Sequence, residues 1–329
     1  MSIGKKIGII IGAIFLILGI AILAFALLQG LKKVTNEYVI EDIFSDIYIE
    51  SDAEIKFMPS REDNCKVVLY ENPYQKHSVI AENNKLSIER YKNKAWYQHI
   101  AFEIKESVLT VYLPQNEYNA LIIKARTDDV EIPSNFKFNT TDITVSTGDV
   151  DYKADAKNLK ITASTGDIEV KDVQADSVSI TASTGEIEVS NLTCSNDITI
   201  NVSTGDVKVN NLTCNNLTII GDTSEVSLTN VITGRCDVTT DTGDISLVNV
   251  LTDDLCKLSA DTGEVNLNRS DAGEFIITTD TGDVIGSILS EKIFIVRSDT
   301  GDIDVPRGVS GGVCEITTDT GDIKIYIAK

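Results

Sequence analysis

A short turn motif returns throughout the second half of the chain, and its spacing limits the folds that the chain can adopt. The motif reads Ser or Asp, then Thr, Gly, an acidic residue, and Val or Ile, and successive copies lie 18 to 20 residues apart. Ser224 replaces the glycine in one copy, and Arg126 to Val130 form an earlier, degenerate copy. Together the copies predict eleven structural repeats. The motif glycines are Gly148, Gly166, Gly185, Gly205, Gly243, Gly263, Gly282, Gly301 and Gly321.

Apolar residues occupy every second position on both sides of the motif, as in Leu159, Ile161 and Ala163. A period of two indicates β-strands, and the motif itself is a tight turn in which glycine accepts a positive φ. One repeat cannot bury its apolar side chains alone, whereas repeats stacked about 4.8 Å apart can. The sequence therefore predicts an all-β protein, a β-solenoid (β-helix) of about eleven coils at residues 120–329. A β-propeller is the weaker alternative, because a repeat of about 19 residues is too short for a four-stranded blade.

Two further regions precede the repeats. Residues 34–119 contain strand-like runs without a clean repeat, and we predict an irregular β cap there. The run from Ile7 to Leu28 carries no charge and is long enough to cross a hydrocarbon core of about 30 Å as a helix. Residues 1–33 are therefore predicted to anchor the chain in the cell membrane by a single pass, with the C-terminal body outside the cytoplasm. A cleaved signal peptide is the alternative, because residues 24–26 resemble a cleavage site.

The charge of the chain is strongly negative and unevenly distributed. The net charge is −21, and from Ser134 to Lys329 there are 32 acidic residues against 14 basic ones. Such a surface repels phosphate backbones and anionic lipid headgroups. The composition therefore argues against nucleic acid as a partner.

Two rows of acidic residues are the main candidate for a binding site. An acidic residue follows each motif glycine, and in the C-terminal repeats an aspartate also stands two positions before it. Carboxylates one strand spacing apart repel each other by about 1 kcal/mol in water, and calcium prefers several oxygen ligands of this kind. The alternative is that the acids form turns and keep the rod soluble. The candidate calcium ladder comprises Asp241, Asp244, Asp261, Glu264, Asp280, Asp283, Asp299, Asp302, Asp319 and Asp322.

Five of the six cysteines recur at fixed places in the repeat. Cys236, Cys256 and Cys314 lie seven residues before their glycines, where other repeats have large apolar residues. Cys194 and Cys214 lie nine residues after theirs, alongside alanines in other repeats. These positions predict buried free thiols that act as small apolar side chains. Stacking would also bring Cys194 close to Cys214 and Cys236 close to Cys256, so a disulfide in either pair stays open as the alternative.

The alternating strands around the repeated motif, preceded by Tyr112 to Pro114 and by the apolar run, resemble the bacterial putative adhesin family, also called domain of unknown function 4097. The resemblance covers about Glu37 to Lys329. It implies a β-strand-repeat protein of the cell envelope, associated in some members with envelope stress responses. It implies no established enzyme activity. Apart from the candidate calcium of the acidic ladder, no cofactor is predicted.

Two function classes follow from these observations. The first is a non-catalytic structural or interaction module that contacts cell-wall polymer, an envelope protein or its own copies; the closing strand, Ile323 to Ala328, is expected to form a lightly guarded edge for self-association. The second is a carbohydrate-active β-helix enzyme acting on cell-wall or extracellular polysaccharide. The chain has only two histidines, His77 and His99, and no evident Ser-His-Asp, Cys-His or HExxH pattern. The sequence therefore favours the first class.

Overall fold

The computed structural model describes residues 16–20, 34–71, 76–91 and 107–328. Its strands belong to a single sheet that winds around one elongated core. The first twelve strands are β1 (Val34–Ile40), β2 (Asp46–Ser51), β3 (Glu54–Pro59), β4 (Cys65–Glu71), β5 (His77–Glu82), β6 (Lys85–Arg90), β7 (Val108–Leu113), β8 (Glu117–Ala125), β9 (Val130–Ile132), β10 (Lys137–Thr147), β11 (Val150–Tyr152) and β12 (Asp155–Thr165). The next twelve are β13 (Ile168–Thr184), β14 (Ile187–Cys194), β15 (Asp197–Thr204), β16 (Val207–Thr223), β17 (Val226–Thr242), β18 (Ile245–Thr262), β19 (Val265–Thr281), β20 (Val284–Ile288), β21 (Lys292–Thr300), β22 (Ile303–Asp304), β23 (Gly312–Thr320) and β24 (Ile323–Ile327).

Successive coils pair in parallel and in register, so that equivalent residues stack in columns. Ile161, for example, pairs with Ile180, and Ile180 pairs with Ile200. All three side chains are fully buried, because period-two alternation turns the same positions of every coil inward. The predicted all-β solenoid is confirmed, with about ten turns.

The motif glycines line up along one edge of the solenoid, as predicted. Gly166, Gly185 and Gly205 have φ values of 132°, 141° and 133°, which side chains rarely adopt. A second requirement was not predicted: a Cβ on Gly205 would overlap the carbonyl oxygen of Gly185 in the preceding coil. Glycine at the motif therefore permits both the turn and the close approach of stacked backbones.

The strands of residues 34–119 join the same sheet. β2 and β3 pair in parallel with β8 and β9, and β6 and β7 pair in parallel with β2 and β3. Beyond these strands, β5 runs antiparallel to β6, β4 runs antiparallel to β7, and β1 runs antiparallel to β4. A change of strand direction thus marks this end of the stack, and the domain division near residue 119 stays a prediction.

The order of the coils is inverted at the other end of the stack, which corrects the expected position of the closing strand. β23 lies between β19 and β21, and β24 lies between β20 and β22. The last residues of the chain are therefore inserted inside the stack, and Ile323 is fully buried. The terminal coil is formed instead by β21 and β22, called the end coil below (residues 292–304).

Most of the predicted membrane anchor, Ile7 to Leu28, lies outside the described residues. Residues 16–20 of this run are helical, and their large apolar side chains are exposed. Within the described ranges, no helix is long and apolar enough to cross a membrane.

Candidate functional site

Several aspartates that directly follow a motif glycine bind the backbone of a neighbouring coil. The Oδ1 atom of Asp149 accepts the backbone N–H of Asp167 in the next coil at 2.8 Å, and Asp167 accepts that of Glu186 at 2.7 Å. The same bond recurs near the C terminus, where Asp322 accepts the N–H of Asp302 at 2.8 Å. Lys324 Nζ donates to Asp322 Oδ2 at 2.7 Å. This bond and, to a smaller extent, the N–H of Asp302 lower the pKa of the Asp322 carboxyl. These aspartates thus pair backbone donors at the turn and connect consecutive coils.

The second acidic row points into solvent. The aspartates two positions before the glycines are exposed. They are Asp241, Asp261, Asp280, Asp299 and Asp319. Among the described residues, no three His, Cys, Asp or Glu side chains come together as ligands for a metal ion. Calcium binding along the ladder stays a prediction.

A thermal titration tests calcium at this edge. If calcium bridges adjacent coils, we expect calcium at millimolar concentration, the range of weak extracellular sites, to raise the melting temperature of the chain. Replacing Asp261 and Asp280 by Asn should abolish this increase, while Asp176→Asn, which lies outside the ladder, should leave it unchanged. If calcium did not change the melting temperature, the calcium prediction would be wrong, and the acids would serve only to form turns.

A ladder of asparagines on another corner was missed by the sequence analysis. Asn191, Asn211, Asn230 and Asn249, each six residues after the motif position, have φ values of 53° to 55°. Their side-chain amides bond from coil to coil at 3.0 to 3.1 Å, and Asn191 continues the row to Asp172 at 2.8 Å. Asn is the residue other than Gly that best tolerates this conformation. The repeated Asn at a fixed offset was the available signal.

The cysteines occupy the interior, as predicted. All six are buried free thiols, and Cys236 lies directly opposite Cys256 in adjacent coils. Burial raises the pKa of Cys314 to about 12 and that of Cys214 to about 11. A hydrogen bond between the thiols of Cys236 and Cys256, together with burial, raises the pKa of Cys236 well above its usual value. Cys214, Cys236 and Cys314 therefore pack as uncharged groups and lack the thiolate needed for reactivity.

A buried relay of three polar side chains was also missed. The ring of His77 lies 2.8 Å from Glu71 Oε2 through Nδ1 and 2.9 Å from Ser51 Oγ through Nε2. Because a carboxylate only accepts, Nδ1 carries a proton and donates to Glu71. Ser51 Oγ accepts the N–H of Ala53 at 2.9 Å and shares its other hydrogen bond with Nε2 of the ring. Hydroxyl, imidazole and carboxylate thus follow the order found in hydrolase triads, which the spacing in the sequence did not reveal.

The environment of the relay explains its role. Ser51 is 1% exposed and Glu71 is 2% exposed, so the hydroxyl is not presented to solvent. Glu71 also accepts the side-chain amide of Asn36 at 3.0 Å and the backbone N–H of His77 at 3.1 Å. The relay therefore joins β2, β4 and β5 and satisfies a carboxylate inside the core.

A groove beside β8, β10 and β12 combines acids with aromatic rings, as a polysaccharide-binding site would. Its volume is about 330 Å³, and Tyr118, Phe138 and Asp155 contribute to its lining. The two rings pack against each other with centroids 5.9 Å apart, and both residues are buried. Asp155 accepts the backbone N–H of Gln174 at 3.0 Å. These groups are therefore engaged in packing and in coil pairing.

Comparison with known families gives one match over most of the chain. The model of the Toastrack DUF4097 family matches residues 44–219 and 176–329. No curated protein matches the chain.

Three solved structures are also similar to the chain at low sequence identity. A putative adhesin from Bacteroides fragilis is 14% identical, with 90% of this chain and 98% of that chain covered and a TM-score of 0.40. A putative lipid binding protein from Parabacteroides distasonis is 15% identical, with 89% and 97% covered and a TM-score of 0.40. A putative adhesin from the same organism is 11% identical, with 89% and 97% covered and a TM-score of 0.37. Similarity at this level carries no argument about function.

Proposed function

Since the chain belongs to the Toastrack DUF4097 family, we propose that it is a non-catalytic interaction module of the cell envelope. In this proposal the apolar run from Ile7 to Leu28 anchors the chain in the cell membrane, and the solenoid stands outside the cytoplasm as a rod. The rod contacts cell-wall polymer or another envelope protein through its sides.

The proposal rests on the hydrogen bonds that the repeated polar side chains form between coils. The aspartates after the glycines and the asparagines at another corner are bonded to neighbouring coils. The motif thus maintains a long and regular rod, and the outward rows of the strands are left for contacts. One such row aligns Thr162, Thr181 and Asn201 at the spacing of the coils, about 4.8 Å. Regular rows of hydrogen-bonding groups suit an extended ligand rather than a small substrate.

Two measurements test the two parts of the proposal. With an alkaline phosphatase reporter at the C terminus of the full chain, we expect activity in the membrane fraction of a bacterial host. Deletion of residues 7–28 should abolish both the activity and the membrane association. A reporter that stays active in the soluble fraction after this deletion would refute the anchor.

The interaction itself is tested with the native chain in detergent. We expect it to sediment with purified cell-wall polymer, or to be crosslinked to an envelope protein in intact cells. Chains of similar charge and length but unrelated fold serve as controls for electrostatic adhesion. Failure of both assays under conditions where the chain is folded would refute the interaction role.

A further inference from the structure

The end coil presents an unpaired edge of the solenoid. β21 pairs on one side with β23 and, within the described residues, with no strand on its other side. β22 likewise pairs with β24 alone. Every second residue of such an edge directs its backbone N–H and C=O groups outward, and these groups are able to bind another strand.

Apolar side chains accompany this edge. Ile293, Ile295 and Ile303 are 42%, 55% and 45% exposed. The inward residues Phe294 and Val296 are only partly buried, whereas Phe275 at the equivalent position of an inner coil is fully buried. The apolar interior of the solenoid is therefore incompletely covered at this end, which terminal repeats normally avoid.

The two basic residues of the end coil each have an acidic partner, while Asp302 and Asp304 leave the end coil with a net charge of −1. Lys292 lies 2.8 Å from Asp271, and Arg297 lies 3.0 Å from Asp299. β21 carries two basic residues and one acidic residue, so the edge strand itself lacks the acidic excess of the whole chain.

We propose that the end coil is an interface between two copies of this chain, joined end to end by antiparallel pairing of β21 with β21. A partner at this end has to cover the edge of β21, the edge of β22 and the open interior at once. The coils already do this for one another along the whole stack, and a second end coil has the same cross-section. A two-fold axis through Ile295 places Phe294 of one copy opposite Val296 of the other. The same register places Arg297 opposite Ile293, and Glu291 opposite Asp299. Each of these carboxylates already has a partner in its own chain, Ser310 for Glu291 and Arg297 for Asp299.

The direction of this contact rests on the proposed function. β1, which follows the proposed anchor, lies at the opposite end of the stack from β21. In a chain anchored through Ile7 to Leu28, the end coil is then the membrane-distal end of the rod. The interface would therefore join copies that project from facing membranes.

Cysteine crosslinking of the full chain in detergent tests the interface without reference to the membrane. Residues directly opposite in an antiparallel pair have Cα atoms within disulfide range. We expect Ile295→Cys to form a covalent dimer on mild oxidation. Ile232→Cys, placed at an exposed site on the side of the rod, should stay monomeric, and the native cysteines are buried. Equal crosslinking of the two variants, or none in either, would overturn the proposal.

Light scattering supplies a second readout that needs no introduced thiol. The wild-type chain should show twice the monomer mass at high concentration, and Ile295→Lys should lose this dimer because it places a charge at the centre of the edge. Ile232→Lys should retain the dimer. A wild-type chain that stays monomeric at every concentration, or a dimer that both variants retain, would overturn the interface and leave the membrane anchor and polymer binding untouched.

Discussion

Replacing Gly205 by alanine is expected to lower the free energy of unfolding of the chain by about 3 kcal/mol or more. The φ of 133° at this position is strained for any residue with a Cβ. The added methyl group would also overlap the backbone carbonyl of Gly185, which cannot rotate away as a side chain can. Denaturant or thermal unfolding followed by circular dichroism measures the loss. An alanine variant as stable as wild type would contradict the close stacking of the turns.

Gly221 and Ser224, in the coil that lacks the motif glycine, test the close packing of the turns in a second way. The side chain of Ser224 is 2% exposed and fills space that inner coils give to residues such as Ala182 and Thr240. A Cβ on Gly221 would lie 2.8 Å from Ser224 Cβ and 2.9 Å from its Oγ. Gly221→Ala alone should therefore be destabilising, and Ser224→Gly should rescue it, so that the pair restores the usual arrangement of the coil. Additive effects in this double-mutant cycle would contradict the exchange of space.

Replacing Glu71 by alanine is expected to cost about 3–5 kcal/mol of stability. The change leaves His77 Nδ1, the backbone N–H of His77 and the amide of Asn36 without the acceptor that each now uses. The relay is buried, so water does not readily replace the lost carboxylate. Thermal unfolding measures the effect, and we expect it to be accompanied by loss of protection of β5 in amide hydrogen exchange.

Glu54 offers a matched control. It lies 2.7 Å from Lys56, but the two side chains are 24% and 38% exposed. Exposed pairs of this kind contribute about 0–1 kcal/mol, so Glu54→Ala should change stability little. If Glu54→Ala and Glu71→Ala had equal effects, the relay would not be the element that holds β5 to the first coils.

The sequence by itself determined the architecture of the rod. Alternation of apolar residues at period two, repeated at a constant interval, leaves stacked strands as the arrangement that buries every inward side chain. The same phase argument placed Cys236, Cys256 and Cys314 inside. It also aligned the motif glycines along one edge, because residues at equal offsets must stack when equal coils are superposed.

Contacts between different coils were decided by the tertiary structure. The motif marked Asp149 and Asp167 as turn residues, yet their bonding to backbone groups depends on the stacking distance between coils. The Ser51, His77 and Glu71 relay joins strands that follow no repeat, so no spacing in the sequence could reveal it.

The order of the last coils is the clearest case. The motifs around Gly301 and Gly321 are so alike that each fits against the coil of Gly282, and local sequence cannot distinguish these neighbours. The return of the chain past the end coil decides between them. Gly308 and Gly312 pass so close to the backbone of Lys292 and Gly273 that a Cβ would overlap their carbonyls. Repetition thus specifies what each coil looks like, while the connection between coils determines which one closes the rod.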